Sequence, residues 1–105
     1  MSETSTPPIG SIGWCDLTVP NADAVSEFYR DVVGWTATEH DMGGYADYVM
    51  SQPHNGTGTT GVCWARGANA GLPPVWLVYF VVASLDRSLS QVRERGGAVC
   101  ALYEA

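Results

Sequence analysis

The chain contains no lysine, and its five basic residues are all arginines, set against eleven aspartates and glutamates. The formal net charge of −6 argues against nucleic acid as a partner, because a phosphate backbone requires clustered cations. The arginines are scattered, and a moderate negative charge on its own serves solubility. No apolar run is long enough to cross a bilayer. The longest, "VWLVYFVVA", is about half of the roughly 20 residues a spanning helix needs, so no membrane partner is expected. CxxC pairs are also missing. Cys15, Cys63 and Cys100 are odd in number and widely spaced, which fits no metal or redox motif. Each lies in an apolar, strand-like context and reads as a buried small hydrophobe. That usage suits a reducing cytoplasm, the expected location. No GxSxG elbow and no glycine-rich phosphate loop occur, so neither a serine nucleophile nor nucleotide binding is indicated. The opening "MSETSTPPIG" is polar and proline-rich, unlike a signal peptide, and residues 1–9 read as a flexible arm.

What is present is a strand and helix grammar. At 105 residues the chain is expected to form one domain with a single modest core. "SIGWCDLTV" alternates, placing Cys15, Leu17 and Val19 on one face and Trp14, Asp16 and Thr18 on the other. Pro20 ends this strand. Asn21 can cap a helix whose first turn holds Asp23, where the helix dipole favours a negative charge. Ala22, Val25, Phe28, Tyr29 and Val32 form its apolar stripe, and Gly34 stops it. Three short strands follow in "WTATEHD", "YADYVMSQ" and "TTGVCWA", separated by "MGG" and "PHNGTG" turns. After the loop "RGANAGLPP", the near-continuous apolar "VWLVYFVVA" predicts a central strand buried on both faces. A second helix, "SLDRSLSQVRERGG", takes Ser84 as cap and turns Leu85, Leu89 and Val92 inward. "AVCALYEA" predicts a last strand.

The chain also repeats itself. A shift of 63 residues lays Asp23 on Asp86, Arg30 on Arg93, Asp31 on Glu94 and Gly34 on Gly97. Strand, cap and stop recur in the same order.

The stretches "DLTVPNADAVSEFYRDVVGW", "GGYADYVM" and "AGLPPVWLVYFVVASLDRSL" resemble the vicinal oxygen chelate superfamily, which includes glyoxalase, bleomycin-resistance proteins and extradiol dioxygenases. "FYRDVVGW" is similar to the family's helix-ending signature, and the resemblance covers residues 10–105. It implies an α+β fold of two βαβββ-type modules. These would form a curved mixed sheet with helices on its convex side. Residues 10–105 would make one domain, with module one at about 10–66 and module two at about 75–105. On this reading the second module would be about two strands short, whether these are deleted or lie beyond residues 1–105.

The resemblance also implies where a metal would sit: the first and last strand of each module. Carried onto this sequence, those positions hold Trp14, Leu77 and Ala101, and the end of the first module, residues 55–74, has no Asp, Glu or His. None of these is a usual ligand, so no metal and no cofactor are expected. His40 and His54 are poor substitutes. The run Glu39, His40, Asp41 cannot converge, since consecutive strand residues point to opposite faces, and His54 lies in a turn.

A pocket of aromatic walls with one carboxylate is expected instead, from Trp14, Asp16, Thr18, Trp64, Leu77, Tyr79 and Tyr103. A buried carboxylate must be paired, hydrogen-bonded or protonated, and a ligand is one partner. The competing reading pairs Asp16 with an arginine or leaves it in solvent, and assigns the tryptophans and Tyr79 to core or interface packing. Three functions fit: metal-independent small-molecule binding, a metal-dependent lyase, isomerase or dioxygenase, and a structural or regulatory dimer. A homodimer is expected because the short second module would leave strand edges exposed.

Overall fold

The computed structural model describes residues 7–100. Ala101, Tyr103, the end of the expected last strand and residues 1–6 of the expected arm lie outside them. The elements run β1 (Ile12–Val19), α1 (Ala22–Val33), β2 (Thr36–Asp41), β3 (Ala46–Ser51), β4 (Gly58–Trp64), a 3₁₀ turn (Gly67–Asn69), β5 (Trp76–Phe80) and α2 (Leu85–Glu94). The fold is α+β, with a five-stranded mixed sheet in the order β2-β3-β4-β1-β5. β1 runs parallel to β4, and β3 is antiparallel to both β2 and β4. Among the described residues no helix is long and apolar enough to cross a membrane.

The contacts divide the chain into two compact units. One is Ile12–Tyr79. The other joins residues 7–11 with residues 80–100.

In the first unit, alternation along β1 decides which side of the sheet is apolar. Leu17 and Val19 share a face with Met50 and Val62, and with Ala22 these five are its buried apolar residues. α1 starts where Asn21 Oδ1 accepts the Ala24 N–H at 3.3 Å. It ends at Gly34, whose φ of 89° is left-handed and whose N–H donates to the Arg30 carbonyl. A side chain at that φ would crowd the backbone, so glycine is the residue that stops the helix cleanly. The helix packs on the core with a narrower stripe than its sequence suggests. Ala22 and Ser26 are buried and Val25 and Tyr29 are partly buried, whereas Phe28 and Val32 are 56% and 65% exposed. Ser26 can be buried because its hydroxyl donates to the Asp23 carbonyl at 2.9 Å, which satisfies the group internally.

β5 corrects another expectation. It lies at the edge of the described sheet, not its centre, and Val78, Tyr79 and Phe80 are exposed. A continuous apolar run reports two apolar faces and says nothing about how many strands lie alongside. Trp76 packs against the core, where its ring meets Tyr29 and Trp35.

In the second unit, Gly10 donates to the Val81 carbonyl at 2.8 Å and Val81 donates to that of Ser11 at 2.9 Å. Ser84 Oγ accepts the Arg87 N–H at 3.3 Å, which caps α2 as its sequence predicts. The expected inward stripe is not buried: Leu85 is 60% exposed, Val92 is exposed and Leu89 is partly covered. The left-handed stop after α2 is Gly96, with φ of 90°, one residue before the glycine that the repeat aligns with Gly34. Residues 98–100 form no strand, and Cys100 is exposed rather than buried.

Candidate functional site

Because Leu17 and Val19 enter the core, Trp14, Asp16 and Thr18 face the other side of the sheet. The parallel register sets Asp16 beside Gly61 and Thr18 beside Cys63. Asp16 is half-buried, and both of its oxygens are engaged. Oδ1 accepts the Trp14 indole N–H at 2.7 Å, and Oδ2 accepts the Tyr79 hydroxyl at 2.8 Å. Asp16 and Tyr79 are separated by the 63-residue shift of the internal repeat, so equivalent positions of the two copies meet on neighbouring strands.

β4 makes room for this grouping by omitting side chains. A Cβ at Gly61 would lie 2.4 Å from Asp16 Oδ1, closer than atoms can approach, whereas one at Gly58 would meet the six-membered ring of Trp14 at an ordinary 3.5 Å. A glycine inside a strand often marks such a close approach. That was the available signal for Gly61, which sequence reasoning missed.

Asp47, also missed, is buried on β3 and accepts the Trp64 backbone N–H at 2.9 Å. Cys63 bonds to Asp47 and lies near Asp16. Burial first, then these two carboxylates, push its thiol up to about 12. The thiolate is the reactive form, so Cys63 stays protonated at neutral pH. With a maleimide at pH 7.5, the exposed Cys100 should be modified first and Cys63 should resist until the protein unfolds. Peptide mapping against time checks this, and early labelling of Cys63 would contradict it.

No arginine supports Asp16. Among the described residues the one ion pair is Arg30–Asp31, at 3.2 Å on the surface, and the Arg66 guanidinium lies 4.1 Å from the centre of the Tyr45 ring. The carboxylate is therefore held by two uncharged donors.

The structure brings together Trp14, Asp16 and Tyr79, with Thr18 buried one step along β1. Leu77, partly buried, precedes Tyr79 by two residues and so shares its side of β5. Trp64 departs from the expected grouping. It follows Cys63 directly, so alternation turns it to the opposite face, where it packs against the core. Trp76 is also on the core side, donating its indole N–H to Tyr29 Oη at 3.3 Å.

The described residues at the positions the resemblance names do not fit a chelated metal. Leu77 offers no donor atom, and the Trp14 N–H is committed to Asp16. His40 pairs with Asp47 in the β2–β3 ladder, and His54 lies in a turn. Among the described residues no three His, Cys, Asp or Glu side chains converge as coordination requires. Among the described residues, neither of two concavities includes Asp16. One of about 630 Å³ runs along α2 past Arg87, Val92 and Arg95, and one of about 530 Å³ lies by Glu39, Asp41 and Tyr45. In the Asp16 grouping, Asp16 is half-buried and Thr18, on the same face, is buried.

Comparison with known proteins agrees with this architecture. The family model of the glyoxalase/bleomycin resistance protein/dioxygenase superfamily matches residues 11–100. The chain is 28% identical over 91 residues to "Putative glyoxylase CFP32" of Mycobacterium bovis and Mycobacterium tuberculosis, a match covering 86% of this chain and 35% of each of those proteins. It is 28% identical over 106 residues to "Anthracycline biosynthesis protein DnrV" of Streptomyces peucetius, covering 86% of this chain and 37% of that one. The chain thus spans little more than a third of the length of the curated relatives it matches. A mixed sheet entered by a strand and a capped helix, repeated after 63 residues and matched over residues 11–100, establishes that the chain belongs to the glyoxalase/bleomycin resistance protein/dioxygenase superfamily.

Proposed function

We propose that this chain is a metal-independent small-molecule-binding protein of its superfamily, holding a ligand on the Asp16 face by affinity and without chemistry. One observation carries the reading. At the strand positions where the family resemblance places chelating residues, this chain has Trp14 and Leu77, and Trp14 is turned to hydrogen-bond Asp16. A side chain that could anchor a metal is replaced by a ring that offers an aromatic surface and positions a carboxylate.

The experiment is a melting series with and without ligand, paired with elemental analysis. A ligand that binds only the folded state adds about 2.7 kcal/mol of apparent stability at a hundred times its Kd. An anthracycline is a reasonable first probe, since one relative is named for anthracycline biosynthesis. A saturable upward shift unaffected by EDTA is expected. About one zinc, iron or manganese per chain after purification without added metal would overturn the reading. It would favour instead a metal-dependent enzyme, the alternative that the glyoxylase name of two relatives supports.

A further inference from the structure

The chemistry of the Asp16 face narrows the ligand further. We infer that its ligand is an organic cation, a protonated amine carried on an apolar or aromatic body, and that the face discriminates against carboxylates and phosphates. The inference rests on the reading of this face as a binding site.

Three features converge on it. The first is the unbalanced charge of Asp16. Its two oxygens accept from Trp14 and Tyr79, both neutral, and among the described residues no ion pair involves it. Neutral donors stabilise the carboxylate without cancelling its charge. A cation brought by a ligand would do both, and hydrogen bonds to charged groups are stronger than neutral ones.

The second feature is the direction of the donors. The Trp14 N–H and the Tyr79 O–H point at Asp16, not away from it. An incoming anion would find these protons already used and would meet the charge of Asp16, while an incoming N–H finds carboxylate lone pairs. A carboxylate oxygen can accept more than one hydrogen bond, so the internal bonds do not close the site. The half-buried thiol of Cys63 is flanked by Asp16 and Asp47, so the nearest buried carboxylate adds to the negative field rather than offsetting it.

The third is the Trp14 ring. Its in-plane N–H reaches Asp16, so the body of the ring sets apolar surface beside the carboxylate, which suits an amine carried on an apolar or aromatic body. Gly61 adds no side chain beneath Asp16.

The test uses three naphthalene probes of one shape, titrated calorimetrically into the full chain at low salt. They are 2-naphthylmethylamine, 2-naphthylmethanol and 2-naphthoate. The amine should bind about ten-fold or more tighter than the alcohol, with naphthoate weakest, and the preference should shrink as ionic strength rises. Asp16→Asn, which keeps the shape and removes the charge, should abolish the preference of the face for the amine over the alcohol. If that variant fails to fold, the order of the three probes on the unaltered chain still decides. Equal binding of amine and alcohol would overturn the cation assignment and leave the binding reading standing. Tighter binding of naphthoate than of the amine, or an amine preference that survives in Asp16→Asn, would also overturn it. Binding of none of the three would count against both.

Discussion

Met50→Ala is expected to lower the free energy of unfolding by about 2–5 kcal/mol, the range for truncating a buried Met or Leu. Met50 is wholly inaccessible to solvent and lies on β3, between β2 and β4. Its neighbours in the core are Leu17, Val19, Ala22 and Val62, with Tyr29, Trp35 and Trp64 packed around them. The cost has two parts, the lost transfer of the side chain from water and the cavity left behind. The second is large here because the residues lining the gap are fixed by the sheet and cannot easily collapse into it. Stabilities of small domains are about 5–15 kcal/mol in total, so this substitution could remove a large share. Val32→Ala is the control. Val32 is 65% exposed, and its truncation should change stability by about 0.5 kcal/mol or less. Urea denaturation of both variants, with the slopes compared, measures the difference. A Met50→Ala loss under about 1 kcal/mol would mean that the core is looser than its burial indicates.

Gly61→Ala is expected to destabilise by about 1–3 kcal/mol, although alanine is usually the better residue within a strand by roughly 0.5–1 kcal/mol. The sign turns on one contact. An added Cβ would lie 2.4 Å from Asp16 Oδ1, so the carboxylate must leave. Leaving breaks its bonds to Trp14 and Tyr79, at 2.7 and 2.8 Å, and strands two half-covered donors. Combining the change with Asp16→Ala should recover much of the loss, since the clash and the bonds disappear together. That non-additivity separates a specific collision from a general effect of glycine on the backbone. Equal or greater stability of the single variant would refute the close seating of Asp16.

The parts of the fold legible in the sequence were those set by local chemistry. Asn21 and Ser84 cap because a short side-chain oxygen reaches an N–H three residues on, and Gly34 stops α1 because it takes a positive φ without strain. The Asp16–Tyr79 neighbourhood was legible too, through the 63-residue shift that links them. What could not be read depends on neighbours distant in the chain. Phe28 and Val32 sit at helical spacing with Tyr29, yet only part of that stripe is covered. The β5 run looks like a central strand because its apolar pattern carries no information about pairing. The turning of Trp64 to the core side followed from the register of β4, which alternation predicts only once its phase is fixed by Val62.

The parallel pairing of β1 with β4 also bears on how the chain folds as it is made. Asp16 lies opposite Gly61, so β1 has no β4 partner until β4 has been synthesised. β2 and β3 can close on each other through the short turn between Asp41 and Ala46, whereas β1 must wait with Leu17 and Val19 uncovered except by α1. Contacts that close long loops form late and slow folding. The early nascent chain therefore carries an unpaired apolar strand beside a helix, a species prone to association. Completion of β4 is the event that removes that hazard.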